Sequence, residues 1–463
     1  MAKSKSKDKS SGHLKRDMTL TGLVMLAVGA MIGAGVFLLV GMAAGQAGPG
    51  LILAFFLNGI IALIVGSCYA ELISAVPRAG GVYHWSRIAL SPQAGFFSGW
   101  MSWFAQATAC SLYALGFGSF FTEIMKSNLG FPSGDSLLIS RLISVSVIIL
   151  FLIVNLRGSG KTDRTEIVLS GIKLSMLIVV IAFGLSAIFS KPAPLSAYRP
   201  FLPEGFIGVL GAMGLTFIAF EGFEVIAQSG EEVKNPGKTI PRAIFISILL
   251  VIFVYLMISV VLQGAVKAPE GISTHKYLGQ MGELGLMESS RQFMPMGKQI
   301  LLLAGLASTA SALNATIFSS TRIAFAMGRH GSLPTDLRKI HSKTGAPYVA
   351  ILISGLVMTI MTLSLPIKDV AASADIMFLL VFVMVCASVW RLRRMRPDIK
   401  RPYRAPLFPF MPLFGILSGI GLSLSLFHVS LWAWLTFAIW IAGGGLVYFL
   451  YSRKKMQVTS ELS

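Results

Sequence analysis

Charged residues are scarce in this chain. Only 13% of its 463 residues are charged, while 54% are apolar. A soluble domain carries about 25% charged residues, and one of this size could not hide so much apolar surface behind a polar exterior. Acids are the rarer sign, at 20 against 39 Lys and Arg, for a net charge of +19. Cysteine is nearly absent too: Cys68, Cys110 and Cys386 all lie in apolar runs, which excludes a disulfide framework or a C-x-x-C metal site. The six histidines (13, 84, 275, 330, 341, 428) fall in tails, loops or the ends of apolar runs. With no H-E-x-x-H and no paired Asp in the runs, an intramembrane hydrolase lacks its catalytic cluster. The stretch GSGKT (158–162) resembles the end of a phosphate loop, but Asn155 stands where the first glycine is required and an apolar run precedes it. It reads as a basic turn. No metal, cofactor or nucleic-acid partner is expected.

What remains is hydrophobic sequence in long blocks. Apolar windows occur near 19–46, 49–72, 94–124, 138–156, 165–189, 206–228, 241–265, 299–326, 347–366, 370–392, 409–428 and 430–452. Backbone polar groups in lipid must be satisfied within the segment, and the alternation of a β-barrel strand is missing. The expected fold is therefore all-α and polytopic, with twelve transmembrane helices in the lipid bilayer. The first window is too long for a cleavable signal and should be retained. Of the basic residues, 28 fall on one side: six in the N-terminal tail, seven in 391–404, three in the C-terminal tail and twelve in the other even-numbered connections. The odd-numbered connections hold nine, and Lys173 and Arg322 lie within spans. Positive loops stay inside, so both termini are expected in the cytoplasm, with the protein in the plasma (inner) membrane.

Two windows are interrupted. The first contains GAMIGAGVF (29–37) and the sixth FIAFEGFE (217–224). Glycines let a helix unwind, and freed backbone groups survive at that depth only around a cavity. Breaks five spans apart fit two inverted repeats of five spans with two more appended, the leucine-transporter-like arrangement. The expected divisions are a basic tail (1–18), a first repeat (19–205), a second repeat (206–408), spans 11 and 12 (409–452) and a tail (453–463). A helix restarting after Gly33-Ala34-Gly35 would offer unpaired N–H groups and a positive dipole end to a carboxylate; close packing of small residues is the alternative, and Gly41-x-x-x-Gly45 is read that way. Glu221 and Glu224, in an apolar run, either attract a cation or exchange a proton, or make a structural hydrogen bond. Asp375 is expected at the outer interface, and Arg322 at a span end where it can pair or snorkel. Ser308, Thr309, Ser311 and Asn314 form a polar stripe that suits packing or a pocket equally.

Five segments in order carry a resemblance: GAMIGAGVF, AELISAVPRAGGVYHW (70–85), FIAFEGFEVIAQSGEEVKNPGKTIPRA (217–243), STRIAFAMGRHGSLP (320–334) and RPYRAPLFP (401–409). Together they resemble the amino acid–polyamine–organocation superfamily of permeases, including proton-coupled prokaryotic members similar to cationic amino acid transporters. The resemblance implies a substrate site on Met31, Ile32, Gly33, Ala34 and Gly35 of span 1 and Phe217, Ile218, Ala219, Phe220 and Glu221 of span 6. The substrate ammonium would meet carbonyls of Met31, Ile218 and Glu221. Ile218 stands where many relatives carry an aromatic gate, flanked here by Phe217 and Phe220. The resemblance also implies a coupling site: Lys173 bridging span 1 near Met31 to a hydroxyl of Ser308 or Ser311, with Glu224 as a further acidic position. The implied function is secondary transport of an amino acid by alternating access, as sodium-independent proton symport or as exchange, by a monomer or homodimer. A membrane-embedded enzyme or receptor is the competing class.

The orientation is directly testable. Cysteine labelling in a Cys-free background should place residues 391–404 and both tails in the cytoplasm; an external C-terminus would mean a miscounted span.

Overall fold

The computed structural model describes residues 18–33, 35–76, 81–129, 136–157, 163–193, 195–228, 233, 235–453 and 455. Ala34, residues 77–80, the 158–162 turn and the tails at 1–17 and 456–463 lie outside this set. Among the described residues the chain is helical, and the one β-like pairing is an isolated parallel bridge between Met18 and Val233.

Helices α1 (Leu20–Met31) and α2 (Gly35–Ala47) share the first apolar window, and α3 (Leu51–Ala75) fills the second. Thr19 caps α1 by accepting the Gly22 N–H. A short α4 (Gly81–Ala89) precedes the long α5 (Pro92–Leu129), α6 (Ser136–Leu156) and α7 (Asp163–Phe189). The sixth window comprises α8 (Gly205–Thr216), a 3₁₀ turn (Phe217–Phe220) and α9 (Val225–Gln228). After α10 (Pro236–Ala265) come two short helices, α11 (Thr274–Gln280) and α12 (Gly285–Ser290), then α13 (Gly297–Arg329), α14 (Tyr348–Ser364), α15 (Ile367–Met395), α16 (Phe410–Ser425) and α17 (Leu431–Val447). Eight helical stretches among the described residues are long and apolar enough to cross a membrane, and three shorter ones are apolar. The molecule is a polytopic membrane protein.

Burial separates inner helices from outer ones. The apolar window of α15 is 78% buried, whereas those of α6 and the α17 region are 17% buried and expose Leu142, Leu150, Leu435 and Ile439. Outward-facing leucine and isoleucine suit lipid. The centre is built from α1, α3, α5, α8, α10, α13 and α15, with α13 lying along α5 and α10 against α3.

One buried ionic clasp ties distant segments together. Glu71, 2% exposed in α3, receives Arg393 Nε at 2.7 Å and Nη2 at 2.5 Å, and the Ala405 N–H at 2.8 Å. Arg401 adds a contact at 3.4 Å, and Tyr403 shares a 2.8 Å hydrogen bond with Ser67. Burial pushes the Tyr403 phenol up from its ordinary range, so it stays protonated. Two of the five sequence segments, AELI and RPYRAP, thus meet in space. The basic stretch that reads as a topology signal also anchors a buried acid. Removing one partner of such a pair strands a buried charge, at a cost of about 3–5 kcal/mol. Glu71→Ala should therefore lower the melting temperature of the purified protein sharply, whereas Arg396→Ala, in an exposed pair with Asp398, should leave it unchanged.

Candidate functional site

The two interruptions are real breaks, and they touch. Helix α1 ends at Met31, where the Ile32 N–H closes the last turn on Val28 O at 2.7 Å. On the other side the backbone leaves the 3₁₀ turn at Glu221, which is extended (φ −75°, ψ 146°). Gly222 has φ 131°, a conformation L side chains rarely adopt. A methyl group there would lie 2.7 Å from Met31 N, and one on Gly35 would lie 2.5 Å from Ala219 Cβ. Glycine at both positions permits the contact between the two breaks.

The freed carbonyls are claimed by side chains from neighbouring helices. Tyr255, fully buried on α10, sits with its hydroxyl 2.7 Å from Met31 O and 2.8 Å from Ala219 O, bridging both breaks. Ser308 of α13 donates to Ile32 O at 2.9 Å and Gly33 O at 2.8 Å. Asn58 of α3 donates to Met213 O at 2.9 Å and contacts Thr216 Oγ1 at 3.3 Å, holding the end of α8. Of the carbonyls expected to meet an ammonium, Met31 O accepts Tyr255, and Ile218 O accepts the Glu221 N–H at 3.1 Å.

Lys173, 1% exposed on α7, points its ammonium at Gly29 O (3.4 Å) and Ser311 Oγ (3.3 Å). It spans α1 and α13, two residues before the expected Met31. The two candidate serines divide the work: Ser311 meets the lysine, while Ser308 holds the broken end of α1.

The acids gather on the other side of the breaks. Glu224 accepts from Gln106 Nε2 at 3.3 Å and from the Gly222 N–H at 3.0 Å. Glu221 is 4% exposed and Asp375 fully buried; the carboxyl oxygens of Glu221 have no hydrogen-bond partner among the described residues, whereas the Asp375 carboxyl lies against the Ile218 backbone. The acidic neighbours of Glu221 are Glu224 and Asp375. Asp375 is therefore no interfacial residue: α15 begins at Ile367, which sets Asp375 about 12 Å along the helix axis.

A small cavity of about 40 Å³ lies here, lined by Glu221, Gly222 and Glu224 with Gln106, Tyr113 and Phe378, and by Ala30 of α1. Of the nine expected substrate residues that are described, Glu221 lines it. Phe217 packs on Phe382, and Phe220 on Phe55 and Tyr255. These two phenylalanines and Ile218 are buried in the core, so the aromatic rings facing the cavity belong to Tyr113 and Phe378. A second cavity of about 300 Å³ shares Gln106, Glu224 and Ser319 with the first and extends to Tyr83, Arg322 and Arg329. Arg322 lies over the Phe318 ring at 3.8 Å. On the opposite side, a methyl on Gly41 or Gly45 would lie within 2.6 Å of the backbone of Gly282 or Gly279; Gly41-x-x-x-Gly45 is a packing surface. Lys298 there meets Glu123 at 2.5 Å and also pairs with Glu288.

Tyr255→Phe leaves the Met31 and Ala219 carbonyls without their buried donor, at about 1–3 kcal/mol. The expected result is a lower melting temperature by intrinsic fluorescence; an unchanged one would contradict the bridging role.

Comparison with known proteins follows the same lines. The family described as "Amino acid permease" matches residues 18–452. The chain is 30% identical over 469 residues to a methylthioribose transporter of Bacillus subtilis, covering 98% of this chain and 96% of that one. It is 29% identical over 456 residues to the branched-chain amino acid permease BcaP of the same organism, covering 95% and 94%. It is 27% identical over 448 residues to the serine/threonine exchanger SteT, also of that organism, covering 95% and 98%. These relatives are transporters and not enzymes. Broken apolar helices around a buried cavity, and a match across nearly the whole length, lead to one conclusion: the chain belongs to the amino acid permease family of the amino acid–polyamine–organocation superfamily.

Proposed function

We propose that this permease carries an amino acid across the cell membrane by alternating access, coupled to protons and independent of sodium. The observation that carries the reading is Lys173, an ammonium buried in an apolar helix and held between α1 and α13 by a carbonyl and a hydroxyl. A buried lysine is costly when charged and can release its proton. Its charged form tethers α1 to α13; its neutral form loosens that tether. A conformational equilibrium thereby acquires a proton dependence.

In this reading twelve spans form two five-span inverted repeats (19–205 and 206–408) and an appended pair (409–452). The substrate carboxylate faces the start of α2 around Gly33–Gly35 and its ammonium faces span 6. Glu224, hydrogen-bonded to Gln106 and to the Gly222 N–H, is the further acid of the site and positions the break. With the basic loops inside, the 300 Å³ cavity faces the cytoplasm in this reading, and the glycine contacts with the Lys298 cluster close the external side. That asymmetry suits an inward-facing state of a carrier. Exchange of two amino acids is a second reading, favoured by the relative named as a serine/threonine exchanger.

Purified protein in sodium-free proteoliposomes should take up a labelled amino acid faster when the exterior is acidic. Lys173→Ala should flatten that pH profile more than it weakens binding. Gly35→Leu should abolish binding in a folded protein, since its side chain would enter the Ala219 backbone. Sodium-dependent uptake, or an unaltered pH profile in Lys173→Ala, would overturn the mechanism.

A further inference from the structure

The basic connections hold a cavity that amino acid transport leaves unused. It measures about 590 Å³ and lies between α6, α13 and the connection from α13 to α14. Three cations from three elements line it: Arg157 just past α6, Arg322 within α13, and Lys343 in the connection. No Asp or Glu lines it among the described residues. Asp336, the one acid of that connection, pairs with Lys339 at 2.6 Å. Like charges gathered around one space repel, and a shared anion reverses the sign of that interaction.

The walls are held in place by hydrogen bonds. In the connection, the His341 N–H bonds Ala346 O and the Gly345 N–H bonds His341 O, each at 2.9 Å. Gly345 has φ 70°, which lets the loop close and present Lys343. Across the cavity, Asn155 donates to Asn314 Oδ1 at 3.0 Å and pins α6 to α13.

The surroundings indicate what carries the anion. Ile153, one turn before Arg157, is exposed on α6, as are Ile149 and Leu150. Ile351 of α14 lines the cavity, and the next residue, Leu352, is exposed with Leu356. Helix α14 packs on α6, so a pair of lipid-facing helices leads to a mouth lined by cations. Ile340, 53% exposed, also lines that mouth. A soluble anion makes no use of such a flank, whereas an amphiphile does.

We propose that this cavity binds the phosphate head of an anionic phospholipid of the cytoplasmic leaflet, held by Arg157 and Lys343, with its acyl chains along α6 and α14. Basic pockets between membrane helices on that side suit such heads. Arg322 and Phe325 line both this cavity and the 300 Å³ cavity on the other side of α13. An occupant therefore braces the α13 wall of the transport vestibule.

The test titrates purified full-length protein in neutral detergent with phosphatidylglycerol, phosphatidylcholine or inorganic phosphate, counting bound molecules by native mass spectrometry. One tight phosphatidylglycerol site is expected, with phosphatidylcholine and inorganic phosphate each at least about tenfold weaker. Each basic residue near an anionic lipid is worth about fivefold. Arg157→Gln with Lys343→Gln, monodisperse by size exclusion, should therefore weaken that site at least about tenfold, and Arg157→Lys with Lys343→Arg should retain it. Arg396→Gln with Lys400→Gln removes the same charge from residues that do not line the cavity and should change it less than about twofold. Equal weakening by the two glutamine pairs would mean diffuse attraction to a basic surface and overturn the proposal. Inorganic phosphate binding as tightly as phosphatidylglycerol would overturn the lipid assignment.

Discussion

A hydroxyl that reaches two broken helices at once is the contact on which this structure depends. In a membrane no water is available to satisfy an unwound backbone, so each break survives only if a neighbouring side chain supplies the missing partner. Tyr255 does so for Met31 and Ala219, and Ser308 for Ile32 and Gly33. Because Gly35 and Gly222 let the backbones touch, the two breaks share one environment. A shift of either changes the hydrogen bonding of the other. That mechanical link gives a carrier a natural hinge.

The two buried basic sites show how the same chemistry serves different ends. Arg393 meets Glu71 in a bidentate pair, reinforced by Arg401 and the Ala405 N–H. Both carboxyl oxygens of Glu71 are engaged there, which favours one fixed arrangement. The contacts resolved for Lys173 are neutral oxygens at 3.3 and 3.4 Å. The first site suits a static brace between α3 and α15; the second joins α7 to α1 and α13.

The breaks themselves were legible because glycine-rich interruptions and charges stand out in apolar sequence. Lys173 stands out for the same reason, while its meeting with a hydroxyl of Ser308 or Ser311 follows from the family resemblance. Tyr255 and Asn58 were not, since a lone tyrosine or asparagine in a long helix looks the same whichever face it occupies. Gln106 and Tyr113 escaped likewise, lying in a helix whose polar and aromatic residues have no periodic signature. Asp375 was misplaced because the apolar window begins at 370, whereas α15 begins at Ile367 and carries the carboxyl inward. Phe217 and Phe220 flank Ile218 in sequence, yet the 3₁₀ turn directs them into the core. Glu71 and its arginines lie more than 320 positions apart, and no local pattern links them.

The central claim is that amino acid movement and proton movement share one cycle. Proteoliposomes loaded with a pH-sensitive dye, in sodium-free buffer, test it most directly. Adding substrate outside should acidify the lumen in proportion to the amino acid taken up, with no imposed gradient. Uptake that leaves the luminal pH unchanged, or that begins only when sodium is added, would contradict the account.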